Sequence, residues 1–294
     1  VKATLKQITV LSGKGGTGKT TLVASFAALT KKTVLTDCDV DAPDLHLLLR
    51  PQIMQTQEFV GSKVATIDRE KCIKCGKCEE LCRFNSIEKL SVDPVLCEGC
   101  GVCAYICPVE AIKLTQRISG YAFISKTKYG PMSHARLNPG EENSGKLVTL
   151  VRKNAKQVAE IENLELILND GPPGIGCPVI ASLGGVNMGI IVVEPTLSGI
   201  HDMGRALGLL NHFEIPSLVC INKYDINEEN TNRIAEYCES KGVEVVGKIP
   251  FDAIVTKAMV AGKTVIENSP NNRVSQEIER VWKRVLSALN EQKA

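Results

Sequence analysis

The chain has 294 residues, enough for one large α/β core of about 200 to 250 residues plus a smaller unit. Its 35 Lys and Arg nearly balance 33 Asp and Glu, which excludes a polyelectrolyte surface, so no nucleic-acid partner is expected. No apolar run approaches the length that spans a bilayer, so no stable membrane insertion is expected, and the start Val1-Lys2-Ala3-Thr4 points to a reducing, cytoplasmic compartment.

Residues 8–11 predict a buried strand that runs directly into Gly13-Lys14-Gly15-Gly16-Thr17-Gly18-Lys19-Thr20, ahead of an apolar-periodic helix through residue 29. G-x4-G-K-[ST] between a strand and a helix is a phosphate-binding loop. Its glycines let successive backbone N–H groups turn inward around a β-phosphate, and the helix N-terminus faces the same anion. Lys19 is expected to neutralise the β- and γ-phosphates, and Thr20 to offer its hydroxyl to Mg²⁺. Gly13, Gly15, Gly16, Thr17, Gly18 and Thr21 complete the expected contacts of the loop. Lys14 adds a second lysine where a mobile charge would meet a polyphosphate; the plainer reading is a solvated loop lysine. A second strand is predicted at residues 34–36, followed by Asp37-Cys38-Asp39-Val40-Asp41-Ala42-Pro43. Acids after a strand also suit helix caps, a role open to Asp41 and Asp44.

Eight cysteines follow in two runs, Cys72-x2-Cys75-x2-Cys78-x3-Cys82 and Cys97-x2-Cys100-x2-Cys103-x3-Cys107, with Gly76, Gly99 and Gly101 beside them. The second run repeats the first. A disulfide framework suits a different compartment, and paired zinc sites more often join two C-x2-C units across a longer gap. The close spacing lets a turning backbone aim three sulfurs at one cube. It resembles the spacing with which bacterial-type ferredoxins hold [4Fe–4S] clusters, three thiolates on one cluster and the fourth on the other. That resemblance implies one cluster on Cys72, Cys75, Cys78 and Cys107, and a second on Cys97, Cys100, Cys103 and Cys82. Pro108 after Cys107 matches the usual ending of the run, whereas Arg83 stands where a proline would follow Cys82.

Farther along, a strand predicted at residues 164–168 ends at Asn169-Asp170-Gly171-Pro172-Pro173-Gly174-Ile175-Gly176. An Asp at the carboxyl end of such a strand can hold Mg²⁺ through water. Strands are also predicted at 190–193, at 218–221 ending Asn222-Lys223-Tyr224-Asp225, and at 245–249 before Pro250-Phe251-Asp252. Alternation of strands and helices predicts an α/β fold with a mainly parallel, doubly wound sheet and a ligand at the strands' carboxyl ends. Residues 140–148 read equally as a capped helix start, with Ser144 or Asn143 as cap, and as a partner-facing loop. Cys38, Cys220 and Cys238 read as small buried hydrophobes, and the four histidines show no metal-site spacing. Residues 274–289, apolar at helical period around Trp282, read as a core-packing helix rather than a membrane-binding one.

Together these motifs make the chain similar to MinD superfamily P-loop ATPases that carry an inserted two-cluster ferredoxin domain. The resemblance rests on the deviant Lys-Gly-Gly-Thr-Gly-Lys of residues 14–19, on Asp170-Gly171-Pro172-Pro173-Gly174, and on the cysteine runs. It implies an ATPase domain at residues 1–67 and 115–294, interrupted by a ferredoxin domain at 68–114. It further implies ATP or ADP with Mg²⁺, two [4Fe–4S] clusters, and a homodimer in which Lys14 reaches the partner's phosphates. Asp39 would orient or deprotonate the attacking water and approach Mg²⁺ with Thr20 and Asp170; Asp37 would help near the metal. Gly171 N–H would sense the γ-phosphate. Asn222, Pro250 and Asp252 would contact the base, adenine by resemblance although Asn-Lys-x-Asp alone also suggests guanine. Cys177 stands where the nitrogenase iron protein carries a cluster-ligating cysteine, but no second such cysteine lies between Cys107 and Cys177, and burial is the favoured reading. The function implied is a dimeric ATPase whose nucleotide state gates electron transfer through the clusters to an unidentified redox or iron–sulfur partner. The alternatives are an iron–sulfur carrier of the Mrp type and a positioning ATPase with a redox-sensing module.

Overall fold

The computed structural model describes residues 5–141 and 144–291. Strand β1 (Lys6–Ser12), helix α1 (Lys19–Leu29), β2 (Thr33–Asp37) and the short α2 (Leu45–Leu49) open the fold. Two long strands follow, β3 (Gln52–Ile67) and, after a small unit containing α3 (Lys77–Glu80), β4 (Ile87–Glu88), β5 (Ser91–Val92) and α4 (Val102–Tyr105), the return strand β6 (Ile112–Thr127). β7 (Gly130–Leu137), α5 (Ser144–Glu162), β8 (Leu166–Pro173), α6 (Cys177–Leu183), β9 (Met188–Val193) and α7 (Leu197–His212) come next. β10 (Ser217–Asn222), α8 (Glu228–Ser240), β11 (Glu244–Ile249), α9 (Ala253–Val260), α10 (Val265–Asn268) and α11 (Arg273–Glu291) complete it.

The sheet order is β11-β10-β9-β1-β8-β2-β7-β6-β3. Pairs from β11 to β7 are parallel, and β7–β6 and β6–β3 are antiparallel. Side chains alternate across its faces, as the period of two requires. Ile190 and Val192 pack towards α1, α9 and α11, whereas Ile191 and Val193 pack towards α6, α7 and α8. Cys38, Cys220 and Cys238 are fully buried. The C-terminal helix lies in the core: Val274, Ile278, Val281 and Val285 are buried, and Trp282 stacks on Phe26 of α1 with ring centroids 4.4 Å apart.

Three sequence expectations need correction. β8 does not stop at residue 168 but runs through Pro173, because Ser12 at the end of β1 still pairs with it. A Cβ on Gly171 would overlap Leu11 and the Val10 carbonyl, so only glycine lets the two strands approach so closely. The turn falls at Gly174, φ 88°, whose N–H donates to Ser12 O at 2.9 Å. Cys177 is exposed rather than buried, since it is the first residue of α6 beside Gly145 of α5. Of the two caps considered for the 140–148 stretch, Ser144 is the first residue of α5, and Asn143 lies outside the described residues.

The β3 and β6 arms pair from Gln52↔Lys126 to Ile67↔Ile112 and carry the cysteine-bearing segment at their tip. This segment has its own apolar cluster around Ala65, Ile87 and Ile112, into which Cys78 and Cys97 are buried. The sequence repeat becomes a structural one: α3 and α4 are each four residues long and start after a left-handed glycine, Gly76 or Gly101.

Candidate functional site

A cavity of about 460 Å³ opens at the carboxyl ends of β1, β10 and β11. That size suits a nucleotide or similar small ligand. Residues Gly15, Gly16, Thr17, Gly18, Lys19, Thr20 and Thr21 line it, together with Asp39, Asn222, Pro250 and Asp252. Gly13, Lys14 and Asp170 do not. Gly13 is tight against Asp202, where a Cβ would overlap its backbone. Gly18 takes φ 88°, and its missing Cβ leaves room for the Asn222 amide, which donates to Thr17 O at 2.7 Å. Asn222 thus braces the loop from across the sheet. Thr17 Oγ1 is buried without a hydrogen-bond partner among the described residues, inside the loop that would wrap a phosphate.

Lys19 is buried and forms an ion pair with Asp170, while its amine also lies 3.3 Å from Thr20 Oγ1. Burial alone would lower its pKa; Asp170, with Asp37 and Asp39 beyond it, outweighs burial and raises it. Asp37 is buried so completely that its carboxyl is pushed well above the usual range, first by desolvation and then by Asp170. Its oxygens accept the Asp39 and Leu45 amides, each at 3.1 Å. This carboxylate therefore ties α2 to the end of β2. Asp39 is half-buried, raised in pKa chiefly by desolvation, and accepts only the Ala42 amide, at 3.2 Å. One of its oxygens has no partner among the described residues.

Lys14 bends back onto its own chain. Its amine lies 3.5 Å from Glu194 Oε2 and bonds the Thr196 and Ser198 hydroxyls at 3.2 and 3.4 Å. Lys223 joins the same carboxylate and reaches Gly16 O at 3.3 Å. Glu194 was missed in the sequence because nothing local marks a carboxylate that two distant lysines share. Asp252 caps α9 through the Ile254 amide at 2.9 Å and accepts Asn272 Nδ2 at 3.2 Å. Asp225 accepts the Phe251 amide at 2.7 Å and so pins the loop whose Phe251 ring lines the cavity. Leu48, Met259 and Ile278 extend that wall with apolar surface that no motif announces.

Cys72, Cys75, Cys78 and Cys107, drawn from both runs, line one small cavity at the far end of the arms. Lys74 N points at Cys72 Sγ (3.4 Å) and Ala111 N at Cys107 Sγ (3.2 Å). In the other set, Ala65 N approaches Cys97 Sγ at 3.5 Å, and Ser86 approaches Cys82 Sγ through its amide (3.4 Å) and hydroxyl (3.2 Å). Burial would raise the Cys82 thiol, but the Ser86 bonds outweigh it and pull the pKa down. Cys78 and Cys103 are raised, first by burial and then by the neighbouring sulfurs of their own runs. Among the described residues no three His, Cys, Asp or Glu side chains converge as they would on a single metal ion.

Residues 8–265 match the family model described as the CobQ/CobB/MinD/ParA nucleotide binding domain. An uncharacterized protein of Methanocaldococcus jannaschii is 34% identical over 284 residues, covering 96% of each chain. The iron–sulfur cluster carrier protein of Aquifex aeolicus is 23% identical over 304 residues, 97% of this chain and 68% of that one. The septum site-determining protein MinD complexed with Mg-ADP, from Pyrococcus horikoshii, shares the fold with a TM-score of 0.59 at 16% identity and covers 96% of both chains.

Proposed function

The chain belongs to the CobQ/CobB/MinD/ParA nucleotide-binding domain family, and we propose that it is an Mg²⁺-dependent, homodimeric ATPase whose nucleotide state gates electron transfer through two [4Fe–4S] clusters. The observation that carries this reading is the meeting of Cys72, Cys75, Cys78 and Cys107 on one cavity, on arms that begin three residues after α2. α2 is itself held to the nucleotide site by Asp37. The donor set fits an iron–sulfur cluster: it is all thiolate, it lies in an apolar surround, and backbone amides point at Cys72 and Cys107. Cys82, Cys97, Cys100 and Cys103 would hold the second cluster. When bound, such clusters supply one-electron transfer, and the ATPase supplies the conformational change that controls access to them.

In this reading Lys19 would turn from Asp170 to the β- and γ-phosphates, and Thr20 and Asp170 would hold the Mg²⁺, which would neutralise charge on the phosphates. Asp39, one of whose oxygens has no partner among the described residues, lines the cavity and orients the water. Lys14 exchanges Glu194 for the phosphates of the partner subunit. Release of γ-phosphate reverses these contacts, and loops held by such contacts are those that order and relax in nucleotide switches. Adenine packs on the apolar wall at Phe251.

Anaerobically purified protein should contain about eight iron atoms per chain. With a non-hydrolysable ATP analogue it should dimerise, and Lys14→Ala should abolish dimerisation without loss of iron. Zinc in place of iron would end the cluster reading; an ATP-driven dimer of Lys14→Ala would end the cross-subunit role of Lys14. A second reading, an iron–sulfur carrier, is favoured by the printed name of the Aquifex aeolicus relative. No C-x2-C follows Cys107, and the eight cysteines form a closed set, which favours resident clusters. ATP-dependent transfer of iron to an apo acceptor would select the carrier reading.

A further inference from the structure

In the first cysteine run each of the first three cysteines is preceded by a lysine: Lys71-Cys72, Lys74-Cys75 and Lys77-Cys78. In the second run the same positions hold Leu96, Gly99 and Val102. The local frames match, with a left-handed glycine before a four-residue helix in each. Gly99 is fixed by space, since a Cβ there would overlap the Lys63 carbonyl, whereas Leu96 and Val102 stand where lysine occurs in the first run. From Lys71 to Cys78 there are three lysines and no acid; from Leu96 to Cys103 there is one acid, Glu98, and no base. Lys71, Lys74 and Lys77 are all exposed, and none forms an ion pair among the described residues. Between them lie Ile73, 60% exposed, and Cys75, which is exposed at the mouth of the first cavity. Helix propensity does not explain the lysines, since only Lys77 is helical, and Lys74 sits at φ 58°, where a long side chain gains nothing.

We propose that Lys71, Lys74 and Lys77 form the docking surface for an acidic electron-carrier protein, with Ile73 as the apolar contact at its centre. Glu70, Glu79 and Glu80 flank this stretch and are exposed too, so the positive excess is confined to residues 71–77. Exposed lysines there steer a partner of opposite sign and leave a short apolar contact at Ile73 once it has docked. The surface also sets direction. A negatively charged protein is drawn to the first run, while the second, with Leu96, Val102 and Tyr105 exposed and Glu98 among its cysteines, carries no lysine within residues 96–103 to hold it. The proposal rests on the cluster reading for the job of the partner, but the association itself depends only on these side chains.

The test uses full-length, cluster-loaded protein and a flavodoxin with a strongly acidic surface as the probe, with a basic cytochrome c as the opposite-charge control. Association is followed by stopped flow or surface binding between about 20 and 300 mM salt, a range across which exposed charges become largely screened. The wild type should bind flavodoxin with an on-rate that falls steeply with salt. Lys71→Glu/Lys74→Glu/Lys77→Glu should lower the low-salt on-rate at least about tenfold, remove most of the salt dependence, and bind cytochrome c faster. Lys71→Gln/Lys74→Gln/Lys77→Gln should fall between, and Lys153→Glu/Lys156→Glu/Lys248→Glu, an equal charge change elsewhere, should leave flavodoxin binding unchanged. If the lysines serve only to tune the clusters, the triple reversal will shift the reduction potential while binding stays unaltered at every salt concentration, and docking is refuted. Equal loss in the elsewhere-reversed variant would refute it too. Protein that binds flavodoxin in this pattern but contains no iron would refute the cluster reading and leave the docking surface standing.

Discussion

Asp37→Ala should loosen the nucleotide site more than Asp39→Ala does, although Asp39 is the residue expected to act on water. Asp37 is 1% exposed and accepts two backbone amides, those of Asp39 and Leu45, at 3.1 Å each. Truncation leaves the buried Leu45 N–H without a partner, about 1–3 kcal/mol, and breaks the part-buried bond from Asp39 N, about 0.5–1.5 kcal/mol, so about 1.5–4.5 kcal/mol together. Asp39 loses one partly exposed bond to Ala42, about 0.5–1.5 kcal/mol. Asp37→Asn should cost less than Asp37→Ala, about 1–2 kcal/mol, because it keeps one acceptor and removes a charge that burial and Asp170 already oppose. Trp282, the single tryptophan, is 2% exposed and stacked on Phe26, so its fluorescence reports loss of the helical layer over α1. Anaerobic urea titration should give midpoints that fall from wild type through Asp39→Ala and Asp37→Asn to Asp37→Ala, with amide exchange at Leu45 fastest in the last. Equal midpoints for Asp37→Ala and Asp39→Ala would refute the assignment of Asp37 as the tie between β2 and α2.

Gly18→Ala should weaken ATP binding by at least about tenfold, since Ala at φ 88° costs about 1–2 kcal/mol and its methyl would displace the Asn222 amide from Thr17; Gly208→Ala, in open space on α7, should bind normally in the same calorimetric titration. His134 is buried against Ser125, and burial, helped by His46, lowers its pKa to about 4 from an ordinary 6.5. As pH drops from 6.5 to 4, the unfolded chain therefore takes up a proton that the folded chain refuses. Stability should fall by about 3 kcal/mol over that window and recover above it, and His134→Gln should flatten the difference when urea midpoints are compared at pH 7 and pH 4.5. Trp282→Ala should cost about 3–5 kcal/mol and lower the melting temperature followed by circular dichroism, because it empties a fully packed site against Phe26.

Much of the α/β core was legible because short apolar runs with β-branched residues form its strands, buried on both faces in β1, β2 and β9 and only partly buried in the edge strand β11. The predicted strands at 8–11, 34–36, 190–193, 218–221 and 245–249 each lie within an observed strand. The edge of the sheet was not legible. Most of β3's first seven residues are polar and all seven are exposed, so they show no periodicity of burial, and β7, which mixes Gly, Pro, Ser, His and Arg with three apolar residues, has no apolar run to stand out. Asn222 and Asp252 looked like ligand contacts because their chain positions suit that role; both line the cavity, yet each also hydrogen-bonds protein groups, the loop at Thr17 and the start of α9.

The glycine-rich loop of residues 13–20 and the two cysteine frames were readable in the chain alone, because each depends on spacing within a few residues, where connectivity controls the distances. Which far residues meet depends on packing. Glu194 holds both Lys14 and Lys223, Asp37 spans from β2 to α2, Cys177 faces outward, and Cys107 closes the cavity that Cys72, Cys75 and Cys78 begin. Those meetings follow from strand order and the length of the β3–β6 arms, which a local pattern does not encode. The same arms bring the lysines of the first run to the outer end of the molecule, where charge that spacing merely interleaves with cysteine becomes an exposed surface.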